Sequence, residues 1–179
     1  AHKLWASRGA ELLDKIGPAI IQVHSAGGPF SWLVANERPK LVKAIVNVEG
    51  AGAPFTAQTP WGLTDIPLAY EPAVNDPSEF ATQEIAASNG MPAYKLQAEG
   101  RVRKLKNLAG IPIAFVTAEK SGRTQGPQVV AFLKQAGCNA EDLQLKDKNI
   151  LGNGHFMMIE SNRKQVFDVI RGWIEGKVS

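Results

Sequence analysis

Ser25 sits where an apolar run stops. Ala19-Ile20-Ile21-Gln22-Val23 is apolar except for Gln22, and it gives way at His24-Ser25-Ala26-Gly27-Gly28 before the chain resumes through Phe30, Trp32, Leu33 and Val34. Strand, tight turn and helix in that order lift a serine at the apex clear of the backbone. The first N–H groups of the helix then point at whatever the serine attacks. The motif for such an elbow is Gly-x-Ser-x-Gly. Here the five positions read Val23-His24-Ser25-Ala26-Gly27, so the second glycine is present and valine replaces the first. The chemistry would be nucleophilic attack by the Ser25 hydroxyl, with the Ala26 N–H as one donor to the developing oxyanion. The plain structural alternative is a serine that caps the following helix.

A serine nucleophile needs a base, and the chain has three histidines. His2 stands at the N-terminus of the sequence. His24 adjoins Ser25 along an extended segment, which sends its side chain to the opposite face as a half-buried, hydrogen-bonded histidine. His155 lies in Gly152-Asn153-Gly154-His155, whose glycines allow the backbone to carry the imidazole over the serine. Two carboxylates could orient that imidazole. Glu49 ends the apolar stretch Ala44 to Val48, and Glu119 follows Ile113 to Thr117. Both stand at carboxyl ends of expected parallel strands, where sites in open α/β sheets assemble.

The elements that must position these groups alternate in type. Residues 3–16 carry Leu4, Trp5, Ala10, Leu12, Leu13 and Ile16 at helical spacing, and Gly17-Pro18 ends that helix. Strand 19–23, a helix over 28–36 and a strand over 40–48 form one strand–helix–strand unit of crossover length. Residues 53–78 lose periodicity among Pro54, Pro60, Pro67, Pro72 and Pro77. Residues 78–89 and 91–106 are expected to form two helices parted at Gly90-Met91-Pro92. A strand over 113–117, a loop at 122–126, a helix over 127–135, a short strand at 143–145 and a helix over 162–175 complete the chain. The fold class is therefore α/β, a mostly parallel sheet with helices on both faces, in one domain spanning 1–179. Residues 53–106 are read as a cap or lid insertion.

Composition narrows the function classes. Hydrophobic residues make up 44% and charged residues 21% of 179, with a net charge of +3, an ordinary soluble balance. The one dense basic run, Arg101 to Lys106, has no interleaved aromatics and reads as a solvated helix face, so no nucleic-acid partner is expected. A single cysteine, Cys138, allows neither an internal disulfide nor a cysteine metal cluster. No apolar run approaches the ~18 residues of a membrane helix. No cofactor or metal is called for. No targeting segment is visible, and the compartment is left unassigned.

Three segments carry a family resemblance: Val23 through Phe30, then Val46-Asn47-Val48-Glu49 with Pro54-Phe55, then Gly152-Asn153-Gly154-His155-Phe156-Met157-Met158. Together they resemble an esterase branch of the α/β-hydrolase superfamily in which the triad acid is a glutamate after the sixth strand. The resemblance implies Ser25, Glu49 and His155 as nucleophile, acid and base, with Glu119 as the alternative acid. It implies a small-molecule ester as substrate, cleaved through an acyl-enzyme. Phe30, Phe55, Trp61 and Tyr70 are candidates to line the acyl or alcohol pocket, with a place in the core as the default for any one of them. It also implies strands before the elbow that this sequence does not contain. The expectation is a C-terminal piece, whether a proteolytic product, an incompletely determined sequence or one of two chains. In the last case a companion N-terminal chain would complete the domain, pairing with strand 19–23 and supplying the second oxyanion donor.

Two other readings share these residues. An amidase, lactonase or thioesterase would use the same triad. A non-catalytic α/β domain would keep the fold without the chemistry. A dinucleotide-binding turn is disfavoured because Gly27-Gly28 lacks the G-x-G-x-x-G spacing.

Overall fold

The computed structural model describes residues 1–178. Its centre is a four-stranded parallel sheet in the order β1-β2-β7-β8, formed by Ala19–His24 (β1), Val42–Val48 (β2), Pro112–Thr117 (β7) and Asn139–Gln144 (β8). Helices cover both faces, as the alternating pattern implies. On one face α1 (His2–Ile16), α2 (Gly28–Glu37) and α3 (Gln125–Gln135) share a core with Ile45, Ile113 and Phe115. On the other, α4 (Arg163–Lys177) buries Val166 and Ile170 against Val46, Val48, Val116 and Leu143. Side chains along β2 and β7 thus alternate between two cores, which is why both strands read as nearly continuous apolar runs.

Strand β1 differs. It pairs with β2 on one side only, and its residues alternate between half-buried and exposed, with Ile20 37% exposed. A sequence that suits a central strand is here a sheet edge. Its open side is flanked by two apolar grooves. One, of about 470 Å³, runs along α1 past Trp5, Leu12, Ile16 and Phe30. The other, of about 510 Å³, runs along α4 past Met157, Met158 and Phe167.

Helix α1 rides on α2 at Gly9, where a Cβ would meet Val34 Cγ2 at 2.3 Å, so only glycine permits the close crossing. Arg38, just past α2, clasps Asp14 of α1 with two hydrogen bonds of 2.8 Å. Trp5 stacks on Phe30 with ring centroids 4.2 Å apart.

The segment expected to hold two helices holds none. Residues 78–106 contain β4 (Thr82–Ile85) and β5 (Tyr94–Gln97), paired antiparallel, and β6 (Lys104–Leu105), which pairs with β3 (Tyr70–Glu71). Between β4 and β5 lies a tight turn: Asn89 and Gly90 both have positive φ, 49° and 78°, and Ser88 and Met91 exchange backbone hydrogen bonds. Asn-Gly is the strongest short hairpin signal, and it outweighed a weak helical periodicity. The basic run is likewise no helix face. Leu105 is fully buried, Gln97 clamps the backbone of Arg103 from both sides, and Lys104 Nζ reaches the Gln135 carbonyl at the end of α3.

The remaining elements differ by a few residues. Strand β8 starts four residues earlier than expected, at Asn139, and Leu145 belongs to the following 3-10 turn. Cys138 is buried, and desolvation pushes its thiol up to about 12.

Candidate active site

Ser25 follows β1 directly and has φ +53°, a left-handed conformation that non-glycine residues adopt only under constraint. A short 3-10 turn, Ser25–Gly27, leads into α2, so the helix N-terminus lies beside the serine. Pro29 near the start of α2 helps to fix that entry. Valine at the first elbow position is tolerated because the turn is open there. Even a Cβ added at Gly27 would meet Val23 Cβ at 3.7 Å, an ordinary contact. The crowded glycine is Gly28, whose added Cβ would sit 2.7 Å from Gly50 Cα and 2.9 Å from Ala51 N. Ala26, the residue after the serine, is exposed.

Glu49 follows β2 and is also left-handed, at φ +46°. It is 1% exposed. A buried carboxylate must be hydrogen-bonded. Oε1 accepts the Ala118 N–H at 2.8 Å and Oε2 accepts the His155 Nδ1–H at 2.6 Å. With Nδ1 protonated toward Glu49, the lone pair of His155 falls on Nε2. The Ser25 hydroxyl lies 2.9 Å from that atom. The structure therefore brings Ser25, His155 and Glu49 into one hydrogen-bonded line.

Glu119 lies elsewhere. Its Oε2 accepts the Gly152 N–H at 2.9 Å, and Lys120 pairs with its other oxygen. The Gly152 hydrogen bond, with help from Lys120, holds this carboxyl below its ordinary value. Glu119 thus grips the loop that carries His155 instead of gripping the imidazole. The same loop is held at two further points. Lys120 N–H donates to the Asn153 carbonyl at 2.8 Å, and Glu160 Oε1 accepts the Gly154 N–H at 2.9 Å. Buried Asn153 links Glu160 and Asn162 through its amide.

His24 is half-buried and hydrogen-bonded, but the opposite-face expectation fails. Its Nε2–H donates to the His155 carbonyl at 2.9 Å, and the two rings lie 4.5 Å apart. The twist of the elbow turns His24 under the histidine loop, where it braces that loop.

The four expected pocket aromatics separate. Tyr70 and Trp61 are 4% and 8% exposed and belong to the core, where the Tyr70 hydroxyl donates to the Trp61 carbonyl at 2.7 Å. Burial pushes the Tyr70 phenol far above its ordinary range. Phe55 packs on Phe80 and Phe132 at the edge of the same core. Phe30 alone lines an open groove, the one beneath α1.

Two side chains to which the sequence reading gives no role stand at the site. Asn47, 1% exposed near the end of β2, accepts the Gly50 N–H at 2.8 Å through Oδ1. Its amide nitrogen reaches the Gly28 carbonyl at 3.3 Å and Ser31 Oγ at 3.4 Å. A polar residue inside an otherwise apolar buried strand was the available signal, since such a residue must find partners. The second is Arg123, whose guanidinium nitrogen lies 3.4 Å from His155 Nε2. Nothing local marks it in sequence, because the approach joins residues 32 positions apart.

No family model matches the chain. A probable secreted lipase of a fungus (Fungal sp. strain ATCC 74256) is 36% identical over 173 residues, covering 92% of this chain and 48% of that protein. The chain thus spans about half the length of the curated relative it matches. Among solved structures, a bacterial esterase superposes with a TM-score of 0.60 at 20% identity, over 97% of this chain and 43% of that one. An α/β-hydrolase enzyme from the sediment metagenome of the Mar Chica lagoon, Morocco, superposes with a TM-score of 0.57 at 14% identity, over 98% of this chain and 70% of that one. The chain shares the α/β-hydrolase fold of these structures.

Proposed function

We propose that the chain carries the catalytic triad of a serine hydrolase that cleaves carboxylic esters, with Ser25 as nucleophile, His155 as general base and Glu49 as the acid. The observation that carries this reading is the line from Ser25 Oγ through His155 to Glu49, with separations of 2.9 and 2.6 Å, at an elbow where Ser25 is held left-handed. The esterase and lipase descriptions of the relatives agree with it at the level of hydrolase chemistry.

In the first step His155 Nε2 takes the Ser25 proton while Oγ attacks the ester carbonyl. Glu49 keeps Nδ1 protonated and stabilises the imidazolium. The imidazolium then protonates the leaving alkoxide, leaving an acyl group on Ser25. Water attacks this acyl-enzyme with His155 again as base. The Ala26 N–H donates to the oxyanion. The second donor comes from further sheet pairing with the free edge of β1, whose unpaired N–H and C=O groups and flanking apolar grooves suit that addition. Residues 53–106 act as the cover over the site. The tip of the β4–β5 hairpin, Asn89 to Met91, shares a groove with Arg123 and Thr124 beside the triad.

The test is covalent labelling. A fluorophosphonate should modify Ser25 in folded protein, located by peptide mapping, and p-nitrophenyl esters of short acids should be turned over. Folded protein that takes no label at Ser25 refutes the assignment.

A further inference from the structure

Arg123 is the one cation in hydrogen-bond reach of the Ser25–His155 pair among the described residues. Its guanidinium approaches Nε2, the same lone pair that the Ser25 hydroxyl uses. A guanidinium N–H beside that lone pair competes with the Ser25 hydroxyl for it.

Its surroundings offer no alternative anchor. No carboxylate of the described residues lies within 4.0 Å of it, although Asp142 and Asp147 line the same groove of about 360 Å³. The backbone beneath it is fixed. Ser121 Oγ donates to the Ala118 carbonyl and accepts the Arg123 N–H, both at 3.2 Å, so the loop from β7 to α3 holds Arg123 at the rim of the site. The side chain is half-buried and places one guanidinium nitrogen at His155 Nε2.

We infer that Arg123 is a specificity residue that binds a carboxylate on the substrate, so that the preferred substrates are esters bearing a carboxylate a few bonds from the scissile carbonyl. The inference rests on the serine-hydrolase reading above. A carboxylate is a far better partner for guanidinium than an imidazole lone pair, because both of its oxygens can be engaged at once. Its arrival draws Arg123 off Nε2 and leaves that lone pair to the Ser25 proton. Binding of the anion and release of the base are then one event, which favours anionic esters in kcat as well as KM.

The experiment compares shape-matched esters by pH-stat at neutral pH, using the protein as it occurs. Monomethyl succinate is set against methyl 4-methylpentanoate for a carboxylate on the acyl side. O-Acetylglycolate is set against isobutyl acetate for one on the alcohol side. The readout is the ratio of kcat/KM, anionic over neutral, in the unsubstituted protein, in Arg123→Gln and in Arg123→Lys. The ratio should favour the anion in at least one pair and fall about 10- to 100-fold in Arg123→Gln, as expected for a lost charge-assisted hydrogen bond. Arg123→Lys should retain part of it, and raised salt should narrow it. A ratio that Arg123→Gln leaves unmoved overturns the inference, even if both rates fall, because Arg123 would then serve the reacting carbonyl itself. Failure of the unsubstituted protein to turn over any of the four esters counts against the hydrolase reading instead, and labelling of Ser25 tells the two failures apart.

Discussion

The carbonyl oxygen of Ser25 accepts a 2.7 Å hydrogen bond from the N–H of Ala51, two residues past Glu49. The turn of the proposed nucleophile and that of the proposed acid are therefore joined by backbone, at the carboxyl ends of adjacent parallel strands. Both Ser25 and Glu49 sit in left-handed conformations, which cost energy and persist only where the surroundings fix them. Three features do the fixing: the Ala51 bond, the close approach of Gly28 to Gly50, and the Asn47 side chain between them.

Gly28→Ala tests the close approach. The added methyl would press on Gly50 backbone at 2.7 Å, where no flexible side chain can give way. We expect a loss of about 1–3 kcal/mol in urea unfolding, typical of overpacking. We also expect a fall in kcat as the two turns are forced apart. An unchanged unfolding midpoint would contradict the account of this contact.

Asn47→Leu tests the buried amide. The substitution nearly keeps volume but strands the Gly50 N–H, at a cost of about 1–3 kcal/mol. The thermal midpoint should drop by several degrees and kcat should fall with little change in KM. Normal turnover with normal stability would show that Asn47 holds nothing together.

Glu49→Gln and Glu119→Gln separate the two carboxylates. An amide at position 49 can present the wrong partner to Nδ1, and by analogy with other triads kcat should fall about 10⁴-fold. Glu119→Gln removes one charged grip on Gly152 while Glu160 and Lys120 still hold the histidine loop. Its effect should stay within about tenfold, the scale of one hydrogen bond. Loss of turnover in Glu119→Gln alone would reverse the assignment of the acid.

Acid should loosen α1 in a way that Asp14 controls. The Arg38 guanidinium, chiefly through its hydrogen bonds to Asp14, holds that carboxyl below 3.8. A depressed folded-state pKa means that the contribution is complete above 3.8 and is lost as the pH falls through the folded value. Trp5 on α1, stacked on Phe30, reports the change by fluorescence. The protein minus Asp14→Asn difference should vanish at the acid end. A difference that persists there would mean that the clasp does not titrate as described.

Much of this architecture was legible because a few residues carry unambiguous physics. The apolar run broken at Ser25 gave a strand and an elbow, and the apolar stretch Ala44 to Val48 gave the strand β2. Ser25, Glu49 and His155 were readable as candidates from residue type and position at strand ends. The choice between Glu49 and Glu119 was not, since local sequence cannot say which carboxylate a loop over 100 residues away will meet. Arg123 was missed for the same reason, as was the approach of His24 to the His155 loop. The β4–β5 hairpin was missed for a different one: Gly90 was weighed as a helix breaker, while Asn89 beside it was the stronger signal. Phe55, Trp61 and Tyr70 took the core role that was their default, since aromatic side chains in a proline-rich segment fill a core unless something keeps them open.

The proposed triad draws on two distant parts of the chain. Ser25 and Glu49 come from one strand–helix–strand unit, whereas His155 arrives 130 residues after the serine on a loop tied down by side chains. Closing that separation is slow relative to forming the local unit. A partly opened molecule can therefore keep its nucleophile elbow and lose its base. Reactivity of Ser25 toward a fluorophosphonate, followed through mild denaturation, should disappear before the helical signal does, so that the chemistry reports a local opening to which bulk spectroscopy is blind.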